Sequence, residues 1–392
     1  MHYRDRKMLT FGQKVGRLSL VLVLCGLSPA RSAPTIYGGD VPHGSKLVQI
    51  SVLFRHGDRN PKSIYRKSEF SDIKHWPEGW GELTLTGMKQ HERFGQALKA
   101  MYGPKGYGLL PLEYNLKDYQ VVSTDKDRSI MSAMANNAGL WHPPRGKGIN
   151  DPDIQWTAVP VNVIADNKYD TIFGQYCPRA HELVTMYRDK RFQTIKDQNY
   201  ELFAYAEEHS GYEVLTYPTR INWLYDTLGI EKLKKGKIPA WAEKLYPQPL
   251  QSFITEYYKE GTTTEELKRL TGGPLLKRVI STMTNITEGK EALKMYAYSA
   301  HGKNVYDVLA ALGTPPKKQP GYTAAILFEL FQHQDSYIVR VLYRPGPDQP
   351  AVPVAIPGCQ SRQICSLKRF IEVTANVIPK DLIAECEGSS YE

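Results

Sequence analysis

Residues 46–61 read Lys46-Leu47-Val48-Gln49-Ile50-Ser51-Val52-Leu53-Phe54-Arg55-His56-Gly57-Asp58-Arg59-Asn60-Pro61. The run from Leu47 to Phe54 is apolar and β-branched and reads as a buried strand. It stops abruptly in a polar, basic loop. A helix is expected from about Thr86, with Met88, His91, Phe94, Leu98 and Met101 on one face and Gly103-Pro104 as its stop. A second short strand, 120–123, leads through Thr124-Asp125-Lys126-Asp127-Arg128 into a helix of small and apolar residues ending near Leu140. Strand–loop–helix twice in succession is the beginning of an α/β sheet.

Outward from there the pattern turns helical. Segments 179–190, 192–208, 240–259 and 264–284 carry helical spacing of Leu, Tyr, Ile, Met and Val. The basic stretch 232–237 reads as a solvated helix end and loop. Sheet pattern resumes at Met295-Tyr296-Ala297-Tyr298 and ends in Ser299-Ala300-His301-Gly302. A helix 304–312 follows, closed by Gly313, and 325–331 with 337–343 looks like an antiparallel hairpin. The fold class expected is α/β, a central mainly parallel sheet flanked by helices with an inserted helical subdomain. The segments are a signal peptide (1–32), the first part of the α/β domain (33–176), the helical subdomain (177–290) and the second part of the α/β domain (291–392).

The 392 residues are 41% apolar and 23% charged, which excludes collagen-like, low-complexity and mainly disordered chains. Net charge is +9. Arg4, Arg6, Lys7, Lys14, Arg17 and Arg31 against Asp5 account for much of it, leaving about +4 for residues 33–392. So dispersed an excess gives no footprint for nucleic acid. The charged start, the apolar run 18–27 and Ala30-Arg31-Ser32 form a secretory signal with cleavage expected after Ser32. No later stretch approaches the roughly 18–20 apolar residues of a membrane span, and the polar tail from Cys386 is no lipid-anchor signal. A secreted, extracellular protein is expected.

Cys25 leaves with the signal, and Cys177, Cys359, Cys365 and Cys386 remain, an even number suited to an oxidising compartment. Cys359 and Cys365 flank a short loop and are natural partners, which leaves Cys177 with Cys386, although spacing alone permits three connectivities. Asn285-Ile286-Thr287 is a glycosylation sequon.

Three strand–loop junctions accumulate basic groups: Arg55-His56 with Arg59, then Arg128, then His301. Ligands of open α/β sheets bind at the carboxyl ends of the strands, so the three junctions are expected to converge. Three guanidiniums and two imidazoles repel one another unless an anion joins them, and a phosphate dianion matches the arginine fork. An imidazole among them is a nucleophile suited to phosphorus. Its neighbours would lower its pKa and keep it unprotonated in mild acid. The pattern Arg-His-Gly-x-Arg-x-Pro arises by chance on the order of once in ten thousand such chains. Gly57 is expected to provide a tight turn.

The stretch Arg55 to Pro61 resembles the signature of the histidine acid phosphatases, and the resemblance covers essentially the whole mature chain. Residues 123–129 look like that family's second arginine motif, and Gly81-Glu82-Leu83-Thr84 with Gly87-Met88 its helix after the nucleophile. Cys177-Pro178-Arg179 and the segment from Pro357 to Cys386 look like its cysteine framework. The resemblance implies the pairs Cys177–Cys386 and Cys359–Cys365, and a two-step hydrolysis of small-molecule or protein phosphomonoesters. His56 would attack phosphorus while Arg55, Arg59, Arg128 and His301 hold the equatorial oxygens. It implies no metal or other cofactor, and a homodimer.

One position departs from the pattern. The family follows its second histidine with an acidic residue that protonates the leaving oxygen, whereas His301 is followed by Gly302, Lys303 and Asn304. Asp307, six positions on, is the nearest downstream acid and is expected to face away, and Asp58 inside the first motif is a further candidate. General acid catalysis contributes about 10²- to 10⁴-fold, roughly 3–5 kcal/mol at 1.36 kcal/mol per decade. A weakened phosphatase with steep leaving-group dependence is therefore expected. The competing reading is a pseudoenzyme that binds phosphate or phospholipid headgroups without turnover.

Overall fold

β1 (Lys46–Arg55) is the strand read from the sequence. Ile50, Val52 and Phe54 point to one face and pack with Phe94 and Leu98, while Leu53 packs on the other with Val305 and Leu309. Full burial contributes roughly 1.5–3 kcal/mol per large apolar side chain. A strand buried on both sides must lie inside a layered α/β fold. The computed structural model describes residues 41–144, 147, 149, 155–167, 170–174, 176–359, 361 and 363–387; the expected signal segment lies outside them.

After β1 come α1 (Leu85–Tyr102), β2 (Tyr119–Thr124), α2 (Asp127–Leu140) and β3 (Val161–Ile164). Thr84 caps α1 by accepting from the Gly87 N–H, and Gly103 ends it as expected. The chain then forms α3 (Pro178–Gln198), α4 (Tyr200–Ser210), α5 (Ile221–Lys235), α6 (Leu250–Lys259), α7 (Glu265–Thr271) and α8 (Gly273–Thr287). Among the described residues no strand interrupts these helices. Their boundaries differ from the expected ones. α3 runs on through Phe192, which packs into the apolar cluster of these helices, and breaks only at Asn199. The expected helix 240–259 is split, because Pro247 and Pro249 leave only a short 3₁₀ turn before α6. Gly272 and Pro274 likewise divide the expected 264–284 helix into α7 and α8.

β4 (Met295–Ala300) and α9 (Gly302–Ala311) follow, then the hairpin of β5 (Ala325–His333) and β6 (Ser336–Arg344), then β7 (Val352–Pro353), β8 (Cys365–Ser366), α10 (Leu367–Thr374) and α11 (Leu382–Glu387). The strand order is β3-β2-β4-β1-β5-β6-β7, with β8 also pairing β6. β3, β2, β4 and β1 are mutually parallel, whereas β5 runs antiparallel to β1. The sheet is thus mixed and parallel at its centre, as the sequence predicts.

The register fixes the position of the site. Phe54 and Ser123 both pair with Ser299, and Arg55 pairs with Ala300. The carboxyl ends of β2, β4 and β1 therefore stop side by side, where an α/β sheet leaves its crevice. Disulfides join Cys177 to Cys386 and Cys359 to Cys365. Among the described residues no helix is long and apolar enough to cross a membrane.

Candidate active site

His56 continues the β1 backbone by one hydrogen bond, its N–H donating to Ala300 O at 3.0 Å. Its ring is buried, 3% exposed. Nδ1 lies 2.9 Å from the Gly57 carbonyl. A carbonyl only accepts, so Nδ1 carries the proton and Nε2 keeps its lone pair. Burial first, and then the charges of Arg55, His301, Arg59 and Arg128, hold this imidazole well below its ordinary pKa. A neutral, correctly tautomerised imidazole is what nucleophilic attack requires.

Gly57 serves a different need from the expected turn. Its backbone is not left-handed. A β-carbon there would lie 2.4 Å from the Gly87 carbonyl oxygen, so glycine is required because the motif loop lies directly on the first turn of α1. The Gly57 N–H donates to Ser132 Oγ on α2 at 3.1 Å. Asp58, a candidate acid by position, is tied down instead: Thr84 Oγ1 and Lys234 Nζ both donate to its Oδ1 at 2.5 Å.

The three arginines differ in their surroundings. The Arg55 carbonyl accepts from His91 Nε2 at 3.0 Å, and burial pushes the His91 imidazole down to about 3. The Arg55 guanidinium donates to Pro320 O and lies over the Tyr322 ring, 4.6 Å from its centre. Arg59 donates to Asn60 O and, through Nη2, to both oxygens of Asp226. Burial opposes the Arg59 charge, but Asp226 outweighs it and the guanidinium pKa is raised. Arg128, in the first turn of α2, is pushed down to about 10 by burial and then by the charge of Arg59.

His301 precedes α9 and donates its N–H to Asn304 Oδ1 at 3.2 Å. Its Nε2 is 3.2 Å from Thr124 Oγ1. The His56 and His301 rings meet edge to face with centres 5.6 Å apart. Burial, then Arg128 and Lys62, hold His301 well below its usual pKa. The structure thus brings together all five residues singled out from the sequence. The Nε atoms of Arg55, Arg59 and Arg128 are buried without a hydrogen-bond partner. Buried donors left unpaired are costly, and a tetrahedral oxyanion is the ligand that satisfies several at once. Among the described residues no group of three His, Cys, Asp or Glu is placed to hold a metal ion.

Gly302 opens α9. A β-carbon on it would lie 2.9 Å from the Tyr258 hydroxyl and 3.2 Å from Arg55 Cδ. Asp307 lies one turn further on, buried and paired with Lys303, and burial pushes its carboxyl up to about 6. Asn285 sits half-buried in the last turn of α8.

Asp226, Tyr258 and Tyr322 escaped the sequence reading. Asp226 belongs to α5, whose charged and apolar residues carry little amphipathic signal, and Tyr258 belongs to α6. Each is brought to the pocket from far along the chain, so no local pattern announces it. Tyr322 follows Pro320-Gly321, a loop signal that marks position but not chemistry.

Comparison with known proteins fits this geometry. The model of the histidine phosphatase superfamily (branch 2) matches residues 46–344. Lysosomal acid phosphatase of Homo sapiens is 32% identical, over 95% of this chain and 86% of that protein. Prostatic acid phosphatase of Rattus norvegicus is 30% identical, over 90% and 92% respectively. Among solved structures, Hafnia alvei phytase in complex with tartrate superposes with a TM-score of 0.63 at 15% identity, over 87% of this chain and 99% of that one, a likeness of fold.

Proposed function

The chain belongs to branch 2 of the histidine phosphatase superfamily, and on that premise we propose that it is a secreted acid phosphatase acting through a phosphohistidine on His56. The observation that carries this reading is that His56, its Nδ1 against the Gly57 carbonyl, lies among the charges of Arg55, Arg59, Arg128 and His301, while the Nε atoms of the three arginines are buried without a hydrogen-bond partner. In the first step Nε2 attacks phosphorus, the N–P bond forms and the ester P–O bond breaks. Arg55, Arg59, Arg128 and His301 take up the charge spread over the equatorial oxygens. In the second step water attacks phosphorus, the N–P bond breaks and phosphate leaves.

Secretion is supported by the two disulfides, which suit an oxidising compartment, together with the signal read from residues 1–32. Cleavage after Ser32 gives a secreted chain whose sequenced N-terminus is Ala33. We read α3 to α8 as a helical subdomain that supplies Asp226 and Tyr258 to the pocket. Gly302 carries no carboxylic acid, so activity is weaker on esters whose leaving oxygen needs a strong acid. The test is phosphate release from an aryl phosphomonoester near pH 5 by the purified protein beside its His56→Ala variant. Release by the wild type that vanishes in the variant supports the reading. Equal release by both, with phosphate protecting the protein against unfolding, supports a binding protein instead.

A further inference from the structure

A phosphate ester's leaving oxygen departs as an anion unless a proton reaches it, so the acids around the pocket matter. Three carboxylates near it are each paired with a cation. Asp58 accepts from Thr84 and Lys234 through Oδ1 alone, its Oδ2 being buried without a partner, Asp226 accepts from Arg59, and Asp307 is paired with Lys303. The Tyr258 phenol is placed otherwise. It comes from α6, is 8% exposed, and its hydroxyl abuts the first residue of α9. The point where a residue-302 β-carbon would stand is 2.9 Å from that hydroxyl and 3.4 Å from Arg55 Nε. Any side chain at 302 would push the hydroxyl away, so Gly302 and Tyr258 are complementary. The residue that leaves the pocket without a carboxylic acid at this position is the one that admits a phenol.

We propose that the Tyr258 hydroxyl donates the proton to the leaving oxygen, a role that rests on the phosphohistidine reading of His56. As the N–P bond forms and the ester P–O bond breaks, the phenolic proton passes to the ester oxygen and a neutral alcohol departs. The tyrosinate left behind faces Arg55 and the positive end of α9, both of which favour its charge. In the second step it takes a proton from the water whose oxygen attacks phosphorus, and the N–P bond breaks. Burial raises the phenol's pKa, so it gives a proton usefully only to a leaving oxygen more basic than itself. Alkyl esters depend on it and activated aryl esters hardly do. Tyr322 serves differently, as a ring lying against the Arg55 guanidinium.

The experiment compares kcat/KM for an alkyl phosphate and for 4-nitrophenyl phosphate in wild type, Tyr258→Phe, Tyr322→Phe and Tyr258→Phe with Gly302→Asp. Tyr258→Phe is expected to lose on the order of 10²-fold on the alkyl ester, mainly in kcat, and only severalfold on the aryl ester. Adding Gly302→Asp, where the hydroxyl no longer blocks a β-carbon, recovers alkyl-ester turnover. An equal loss on both esters, no loss, or the alkyl-selective loss appearing in Tyr322→Phe instead overturns the proposal. If Tyr258→Phe does not fold, the wild-type solvent deuterium isotope effect decides: larger for the alkyl ester supports the proposal, and equal effects overturn it. Wild type no better than His56→Ala on either ester is a separate outcome, in which the phosphatase reading itself fails and takes this one with it.

Discussion

Asp226 and Arg59 meet end-on, one guanidinium nitrogen, Nη2, donating to both carboxylate oxygens at 2.9 and 3.0 Å. The two residues lie on different elements, the motif loop after β1 and helix α5. Arg59 is 5% exposed, so its charge needs a partner, and Asp226 both neutralises it and fixes which way its remaining N–H groups point. Asp226→Ala is expected to raise KM and lower kcat/KM by about 10- to 100-fold, roughly 1.4–2.7 kcal/mol. Unchanged kinetics in that variant would show that Arg59 is held without it.

The buried histidines set a pH dependence. His56, His301 and His91 all have lowered pKa values in the folded protein. As pH falls below about 6.5 the unfolded chain takes up protons that the folded one refuses. Their contribution to stability is therefore present above that pH and is lost as pH falls toward the native values. For His91 the window runs from about 6.5 down to about 3, at up to roughly 1.4 kcal/mol per pH unit. Urea unfolding at pH 7, 6 and 5 should give a shallower pH slope for His91→Gln than for wild type, and equal slopes would refute the assignment. The acid limb of kcat/KM should likewise lie well below pH 6.5, since His56 stays unprotonated there.

Gly57→Ala probes the contact between the motif loop and α1. The added carbon would meet the Gly87 carbonyl oxygen at 2.4 Å, backbone against backbone, where nothing can rotate aside. A loss of about 1–3 kcal/mol or more is expected, with His56 displaced from its place at the end of β1. Denaturant titration and activity measured together check this, and a stable, fully active variant would contradict the close approach.

The two disulfides should differ in weight. Cys177–Cys386 closes 209 residues of sequence and Cys359–Cys365 only 6. Loop-closure entropy predicts that losing the long link costs about 2–5 kcal/mol and losing the short one less. Thermal unfolding of the two Cys→Ser pairs measures the order directly.

Much of the sheet was legible because its signals are local. The apolar run before Arg55, the paired glycine and proline stops, and the basic residues at three strand ends each lie within a few positions of one another. β3 was not legible: four residues after Pro160, none of them fully buried, give too little pattern to mark a strand. The helix breaks at Asn199 and at Pro247 and Pro249 lie inside stretches whose apolar spacing continues across them. For the site, the arginines and histidines that gather at the strand ends were readable from the chain. What binds them was not, since Asp226 reaches Arg59 across 167 positions and Tyr258 meets Gly302 only through packing of α6 against α9. The Gly302 departure was visible in the sequence, while the phenol beside it required the fold.

In the proposed mechanism His56 Nε2 becomes phosphorylated. The most direct measurement is rapid acid-free quenching of the enzyme during turnover of a ³²P-labelled aryl phosphate, followed by peptide mapping. An acid-labile, alkali-stable label is expected on the peptide carrying His56, absent from His56→Ala. A label on His301, or turnover with no labelled histidine at any quench time, would contradict it.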